Sequence, residues 1–472
     1  MIIKILALLF LTYIIVSFYI KNRKCHPKEP KSIGIALPLI GHLYKLGKQP
    51  HRGLLQLVKE NGPVFKMWFG DHYSIIITDP KLVHEILVRQ FHIFTNKNRN
   101  TILELFSSGY NNIVHGRDQD WKELRTVVAS AFSNRKIRNI SDLIDNEVNS
   151  LLVELSNLSD SGQVFNPQMT CKIFSLNIIF RYVYSIQLEY GERAQDPRTL
   201  EIINQTDRLM KLMTRPWRFM KGISWVHFQY AKYFANPIEL VKQEVQKIVY
   251  EHLDTIDPDH PRDLLDHLIT TIGVDTDKNL TRIIHCGIDF ILAGTETTSS
   301  TMEWIIVYLI NYPEYQEKLY QEIVDATGSP DSLGQERHRK DTPLFNSFVK
   351  EVMRMNWTVP LTVGRECSED VMIGDYFIPK GAQTYQFPYA LMHSSEYWDE
   401  PEIFKPDRFI NNQHSDIFMP FGLGPRICVG MSLATSEIFA LVTNLILKFK
   451  LYSSNGKGEK VDTYESIIYA FD

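Results

Sequence analysis

The chain has 472 residues, of which 44% are hydrophobic, enough to bury a large core in one or several domains. Its 51 basic and 55 acidic residues give a formal net charge of −4, so the composition does not indicate a nucleic-acid-binding protein. The five cysteines are widely spaced and form no Cys-x-x-Cys pair, which indicates a reducing compartment and argues against a disulfide framework or a zinc site.

Residues 1–20 are almost entirely apolar, about the length needed to cross a bilayer. Basic side chains follow at once: Lys21, Arg23, Lys24, Lys28 and Lys31. Positive charge behind an apolar segment predicts an uncleaved single-pass anchor that leaves the rest of the chain in the cytosol. A cleaved signal peptide is the alternative, but it has its positive charge first and a small-residue cleavage site.

Residues 21–50 are basic and contain several prolines, which stiffen a linker. They are predicted to connect the anchor to one large domain at 51–472. Two strands are predicted at 64–69 and 73–78 around a Gly70-Asp71 turn. Helical periodicity then prevails from Pro80 to about residue 360, and strand signals return at 371–377. The pattern predicts a mainly α fold with a minor β region.

The segment from Thr281 to about Tyr312 is apolar on nearly all sides, which predicts a helix that is either buried or transmembrane. Asp289, Glu296 and Glu303 within it would be expensive in lipid, so burial inside the protein is favoured. Its centre, 293–298, reads Ala-Gly-Thr-Glu-Thr-Thr. A helical glycine costs about 1 kcal/mol relative to alanine. Either a ligand approaches the backbone there, or the segment is a polar kink in a core helix.

Residues 421–430 read Phe-Gly-Leu-Gly-Pro-Arg-Ile-Cys-Val-Gly, and an apolar helix follows them. A glycine-rich loop of this kind bends around a flat ligand and aims its sulfur at the centre. The alternative is a glycine-rich turn with a buried structural cysteine. Six positions match the haem-binding loop of the cytochrome P-450 family: Phe421, Gly422, Gly424, Arg426, Cys428 and Gly430. The chain resembles a membrane-anchored, microsomal member of that family.

This resemblance implies the P-450 fold and a haem b cofactor whose iron takes an axial thiolate from Cys428. It implies a monooxygenase that inserts one atom of O₂ into a lipophilic small molecule, with electrons from NADPH through NADPH–cytochrome P-450 reductase. The segment at 293–297 also matches a family motif. By that match the catalytic residues are Thr297, which hydrogen-bonds dioxygen, and Glu296, which helps deliver protons.

The resemblance also assigns side chains to the haem. Trp121 and Arg125 match a Trp-x-x-x-Arg helix that binds a propionate, and Arg426 and Arg365 are further propionate candidates. Phe421 is expected beside the thiolate, and the amide of Gly430 is expected to hydrogen-bond the sulfur. The expected cofactor-binding residues are therefore Cys428, Arg426, Phe421, Trp121, Arg125, Arg365 and Gly430, with Cys428 as the metal ligand.

Glu351 and Arg354 lie three residues apart on an amphipathic helix, and the resemblance makes Arg408 the third member of their ion-pair cluster. An apolar substrate pocket is expected from Leu103, Phe106, Ile113, Phe290, Val359 and Val363. Arg135, Lys136 and Arg138 are candidates for docking the reductase, with a plain solvated loop as the alternative.

The anchor predicts a location in the endoplasmic reticulum membrane, with a cytosolic catalytic domain. The resemblance fades after about residue 465, where the family usually continues with a β hairpin that closes the pocket. A catalytically impaired haem-binding member with a truncated C-terminus is therefore the alternative function.

Overall fold

A computed structural model describes residues 2–188, 190, 197–234, 236, 238–410 and 417–453. The α-helices are α1 (Ile2–Asn22), α2 (Pro50–Asn61), α3 (Pro80–His84), α4 (Thr101–Phe106), α5 (Asp118–Ala131), α6 (Asn134–Asn139), α7 (Ser141–Asp160), α8 (Pro167–Tyr184), α9 (Pro197–Thr214), α10 (Lys221–Phe234), α11 (Glu239–Thr255), α12 (Leu264–Ile272), α13 (Asp277–Asn311), α14 (Pro313–Thr327), α15 (Pro343–Met355), α16 (Pro388–Met392) and α17 (Met431–Lys448). The predicted mainly α fold is confirmed.

The strands are β1 (Val64–Phe69), β2 (His72–Ile77), β3 (Arg365–Glu366), β4 (Val371–Ile373), β5 (Tyr376–Ile378) and β6 (Gln383–Gln386). β1 and β2 form the predicted hairpin, with Val64 opposite Ile77, and the turn glycine Gly70 has a φ of 55°. A four-stranded sheet has the order β1-β2-β6-β3. The strand signals at 371–377 form a second hairpin, β4 with β5, because Gly374 turns the chain between them.

α13 is 35 residues long and contains the predicted central helix. It packs against α8, α11, α15 and α17, and nearly every residue from Arg282 to Leu309 is buried. Burial inside the protein, as the acidic residues of this segment indicated, is therefore confirmed. The helix begins at a Thr276 cap, whose side chain accepts a hydrogen bond from the amide of Asn279.

The N-terminal helix α1 includes an apolar stretch from Leu8 to Asn22. Within the described ranges, α17 is the helix whose length and hydropathy suit a membrane span, but 72% of it is buried in the protein core. The end of α1 rests on the β1–β2 turn, where Lys21 donates to the carbonyl of Gly70 at 2.9 Å and to Asp71 at 2.8 Å.

The Glu351–Arg354 pair lies on α15 and is completely buried. Arg354 donates to Glu351 through Nε at 2.7 Å and Nη2 at 2.9 Å, and Arg408 donates through Nε to Oε1 of Glu351 at 3.0 Å. Arg354 also donates to the carbonyl of Met392 at 2.6 Å. Such additional hydrogen bonds offset the desolvation of buried charges, so this cluster ties α15 to the segment that precedes the cysteine loop.

Candidate active site

Cys428 lies at the end of the glycine-rich loop, three residues before α17 begins. Its amide donates to the carbonyl of Phe421 at 2.9 Å, which closes the loop on itself. Burial raises the pKa of the Cys428 thiol, while the amides of Gly430 and Met431 and the charge of Arg125 oppose this. The raised pKa favours the neutral thiol, and these amides and Arg125 are the groups that would favour a thiolate.

Gly424 explains why the loop needs glycine. Its φ is 71°, and a Cβ at this position would stand 2.0 Å from the carbonyl oxygen of Leu87. Leu87 belongs to a π-helical turn that continues α3 over residues 85–89. The cysteine loop is thus pressed against the backbone of that turn, and any side chain at Gly424 would displace it.

A cavity of about 270 Å³ separates the cysteine loop from α13. Its walls include Cys428, Phe421 and Gly430 on one side and Ala293, Gly294, Thr297 and Thr298 on the other. Of the residues expected in the substrate pocket, Phe290 and Val359 line this cavity. Leu103, Phe106 and Ile113 are buried but lie outside its lining, and Val363 is 38% exposed.

Thr297 points its hydroxyl back along α13 and donates to the carbonyl of Ala293 at 2.7 Å. Gly294 serves helix packing as well as the cavity, because a Cβ there would come within 2.5 Å of Ile179 on α8. The glycine therefore lets α8 and α13 approach closely at the level of Thr297.

Glu296 faces away from the cavity lining into the contact between α13 and α8 and is 2% exposed. Its Oε1 lies 3.2 Å from Nζ of Lys172, which also hydrogen-bonds Asp207 of α9. Burial raises the pKa of Glu296 to about 7, with Lys172 opposing the shift and Asp207 reinforcing it. This carboxyl can gain and release a proton near neutral pH, as a proton-delivering group requires.

Several cations converge on the loops that flank the cysteine. Arg426 stacks on the Trp121 ring, with 3.8 Å from Cζ to the ring centroid. It donates through Nη2 to the carbonyl of Gly116 at 2.7 Å and through Nε to that of Thr95 at 3.1 Å. Arg125 donates to the carbonyl of Ile427 at 2.6 Å, next to the cysteine.

The charges of this cluster are poorly compensated. Arg365 is 7% exposed, and its Nε and Nη1 are buried without a hydrogen-bond partner. Burial, Arg365 and Arg125 lower the pKa of Arg426 to about 8, and burial with Arg365 and Arg426 lowers the pKa of Lys97 well below its ordinary value. Because a guanidinium does not lose its proton in proteins, such shifts indicate that a negative group belongs here.

Two residues near this cation cluster, Lys97 and His115, were not among the site residues predicted from the sequence. Lys97 and His115 lie in loops, and the Nδ1 of His115 is buried without a partner. The pKa of His115 is lowered by burial and by Lys97 and Arg426. No motif or spacing marks either residue, since each reaches the cluster through tertiary contacts alone.

Comparisons with known proteins show which family the chain belongs to. The family model described as Cytochrome P450 matches residues 30–468. The chain belongs to the cytochrome P450 family. Probable cytochrome P450 508C1 of Dictyostelium discoideum is 33% identical over 463 residues, covering 94% of this chain and 93% of the relative, and probable cytochrome P450 518A1 of the same organism is 32% identical over 473 residues, covering 96% and 93%.

Solved P450 structures share the fold. A zebra fish cytochrome P450 in a structure with abiraterone superposes with a TM-score of 0.71 and 27% identity, covering 84% of this chain and 90% of that one. The chain is thus a haem monooxygenase of the P450 family, and the predicted P450 fold is confirmed. Family membership implies haem with a cysteine thiolate ligand.

The residues around the cavity fit a haem group. Haem presents two carboxylates on a flat apolar ring, and the cavity offers an apolar slot with a sulfur on one wall. The unpaired buried donors of Arg365 and the poorly compensated charges of Lys97 and Arg426 provide the cations that two propionates require. The alternative of a structural cysteine in a glycine turn does not account for these unpaired donors.

Proposed function

We propose that this P450 monooxygenase acts on a lipophilic small molecule, with electrons passed from NADPH through NADPH–cytochrome P-450 reductase. The observation that carries the proposal is that Cys428 and Thr297 line one largely apolar cavity. Phe132, Ile179 and Phe290 contribute further apolar wall. A site of this kind favours an apolar ligand over a charged one at the reacting position.

Haem held here would supply an iron centre that activates dioxygen, and Cys428 is the residue that would bind the iron. Phe421 and Gly430 pack around the sulfur, and the Gly430 amide helps keep it ionised. Trp121, Arg125, Arg365 and Arg426 would hold the haem propionates, with Lys97 as a further cation and His115 as a neutral neighbour. These roles rest on the uncompensated charge described above.

Protons reach the reacting atoms through α13. Glu296 holds a proton near neutral pH, and the Thr297 hydroxyl, one residue later, carries it at the cavity wall. The Thr297 hydroxyl is bonded to the Ala293 carbonyl at 2.7 Å, so it must turn away from that carbonyl to donate into the cavity. Glu296 therefore holds the proton, and Thr297 donates it inside the cavity.

Electrons enter from the side of the cysteine loop. Arg135, Lys136 and Arg138 lie exposed on α6, a short helix rather than the loop that the sequence suggested. Asn134 of this helix accepts a hydrogen bond from Ser432, four residues after Cys428. The three cations thus border the sulfur loop, and an acidic reductase surface fits them.

The anchor at 1–20 is proposed to insert into the endoplasmic reticulum membrane, with the catalytic domain in the cytosol. The apolar stretch of α1 and the basic residues behind it support this assignment. The division into a linker at 21–50 and a catalytic domain at 51–472 remains a prediction. The end of the chain, where the resemblance fades after about residue 465, lies outside the described residues. An impaired member is not favoured, because the sulfur, the threonine and the cation cluster are assembled together.

The test is the carbon monoxide difference spectrum of the reduced, haem-loaded protein. The strongly red-shifted band of a thiolate complex is expected, and it should vanish in Cys428→Ala. Cys367→Ala is the matched control, because Cys367 is a buried cysteine outside the cavity lining and should leave the band unchanged. A haem band without the shift in the unaltered protein contradicts the assignment.

A further inference from the structure

The α4–α5 loop, residues 107–117, is held by one carboxylate of α13. Asp289 is 7% exposed and accepts from Nδ2 of Asn112 at 2.8 Å through Oδ1 and from the Val114 amide at 2.9 Å through Oδ2. The amide of Ile113 contributes as well. Both oxygens are therefore occupied by donors of a single loop, and neither is left for a substrate.

The same loop also binds Arg426 through its carbonyl groups. The guanidinium donates to the carbonyl of Gly116 at 2.7 Å and to that of Val114 at 3.4 Å. Asn112 connects the two ends of this arrangement, because its side-chain oxygen accepts from the His115 amide at 2.9 Å and its carbonyl accepts from the Gly116 amide at 2.9 Å. A chain of direct contacts thus runs from Asp289 through the loop to Arg426.

We propose that Asp289 is a positioning residue that fixes the α4–α5 loop and, through the Val114 and Gly116 carbonyls of that loop, holds Arg426 where it would bind a haem propionate. The proposal rests on the proposed function, since it assigns Asp289 to retention of the cofactor. Asp289 acts through the loop and not on a reacting atom.

Two observations indicate that Asp289 positions the α4–α5 loop rather than merely filling the space beside it. A Cβ on Gly116 would stand 2.4 Å from the Asn112 carbonyl, so the loop tolerates little displacement. Burial raises the pKa of Asp289 to about 7 against the loop amides, Asn112 and Lys97, so the loop donors are what allow this interior carboxyl to ionise. Removing the acceptor leaves loop amides unpaired inside the protein, and the loop must then move.

The experiment measures the rate at which the haem-loaded protein transfers haem to apomyoglobin. Asp289→Asn keeps the volume but turns an amide group toward the loop donors, and we expect haem loss about 10-fold faster, the usual scale for a lost supporting contact. The propionate bending bands in the resonance Raman spectrum should shift, while the thiolate band with carbon monoxide persists. Asp145→Asn is the matched control, because Asp145 is a buried aspartate of α7 that accepts from Gln335.

A double-mutant cycle separates positioning from general loosening. If Asp289 acts through Arg426, the Asp289→Asn/Arg426→Met protein loses haem no faster than Arg426→Met alone. Asn112→Ala removes the same contact from the loop side and repeats the test if Asp289→Asn does not fold. Additive effects, or haem loss unchanged in both variants, overturn the inference. Absence of the thiolate band in the unaltered protein would instead contradict the proposed function, and this inference with it.

Discussion

Nζ of Lys172 lies 3.2 Å from Oε1 of Glu296, and both side chains are nearly completely buried between α8 and α13. Asp207 of α9 shares the same ammonium, and its side chain is 31% exposed. One cation is thus divided between the interior acid and a carboxylate at the surface. Because the ammonium stabilises whichever carboxylate it faces, the ionisation of Glu296 depends on where α9 places Asp207.

Lys172→Met should raise the pKa of Glu296 further, because burial continues to favour the neutral acid and the opposing cation is gone. Glu296 would then remain a proton donor to higher pH. We expect the alkaline limit of coupling between NADPH consumption and product formation to move upward by about one pH unit, the scale of a single nearby charge.

Lys172→Arg is the control for this change, since it keeps the positive charge and should leave the alkaline limit near its original position. The measurement is the ratio of product to NADPH consumed across a pH series. An unchanged limit in Lys172→Met would show that the ammonium does not govern Glu296.

Glu296 should also make the free energy of unfolding depend on pH. Its pKa in the folded protein is raised from 4.5 to about 7, so the folded state holds the proton more tightly than the unfolded chain. The contribution of this group to stability is therefore full at low pH and is lost as pH rises from 4.5 through about 7. Relative to Glu296→Gln, the unaltered protein should lose unfolding free energy over this interval, measured by denaturant unfolding at each pH. Parallel pH profiles would contradict the assignment.

Thr297→Ala should keep the thiolate band with carbon monoxide and uncouple the enzyme, so that NADPH is consumed and peroxide forms in place of product. The reason is that the hydroxyl carries the proton at the cavity wall but makes no contact with Cys428 or its loop. Proton delivery by a positioned group typically contributes about 10²–10⁴-fold. Thr298→Ala, the neighbouring cavity residue, is the control and should remain coupled. Full coupling in Thr297→Ala would remove the role given to it.

Arg365→Met should stabilise the haem-free protein but weaken haem retention in the haem-loaded protein. Without haem, the buried guanidinium has unpaired donors, and its removal should stabilise the protein by about 1–3 kcal/mol. With haem bound, the same change removes a propionate partner and should speed haem loss. Arg354→Met is the control, because breaking the buried pair with Glu351 should cost about 3–5 kcal/mol in both forms. If Arg365→Met destabilised the haem-free protein as well, or left haem loss no faster, a role in binding a propionate would be contradicted.

The sequence predicted those features that are encoded locally. Two short runs rich in aromatic and aliphatic residues around a Gly-Asp turn are enough to define the β1–β2 hairpin, and the apolar run with its cap defines α13. The motif at 421–430 marks the sulfur. By contrast, Lys172 and Asp289 reach the site from helix faces whose partners are distant in sequence. Periodicity indicates that such a face is buried but not which charge it meets, so tertiary packing alone reveals these contacts.

The same limit applies to α6, where the sequence indicated exposed cations but not their distance from the sulfur loop. Charge reversal of Arg135 and Lys136 to glutamate should slow electron transfer from the reductase, because these exposed cations lie beside the start of α17. The defect should be larger at low salt, where the Debye length exceeds about 10 Å and steering is strongest. The rate of haem reduction is followed by stopped flow in carbon monoxide-saturated buffer.

Lys247→Glu on α11 is the control for surface charge, since it changes an exposed cation of a helix that packs against α13 and α9. It should leave reduction unchanged at every salt concentration. If the α6 variant is also unchanged, the reductase docks elsewhere; if it is slowed equally at all salt concentrations, its defect is structural rather than electrostatic. Only a salt-dependent slowing confined to α6 supports electron entry beside the cysteine loop, because it requires the charge to act before contact.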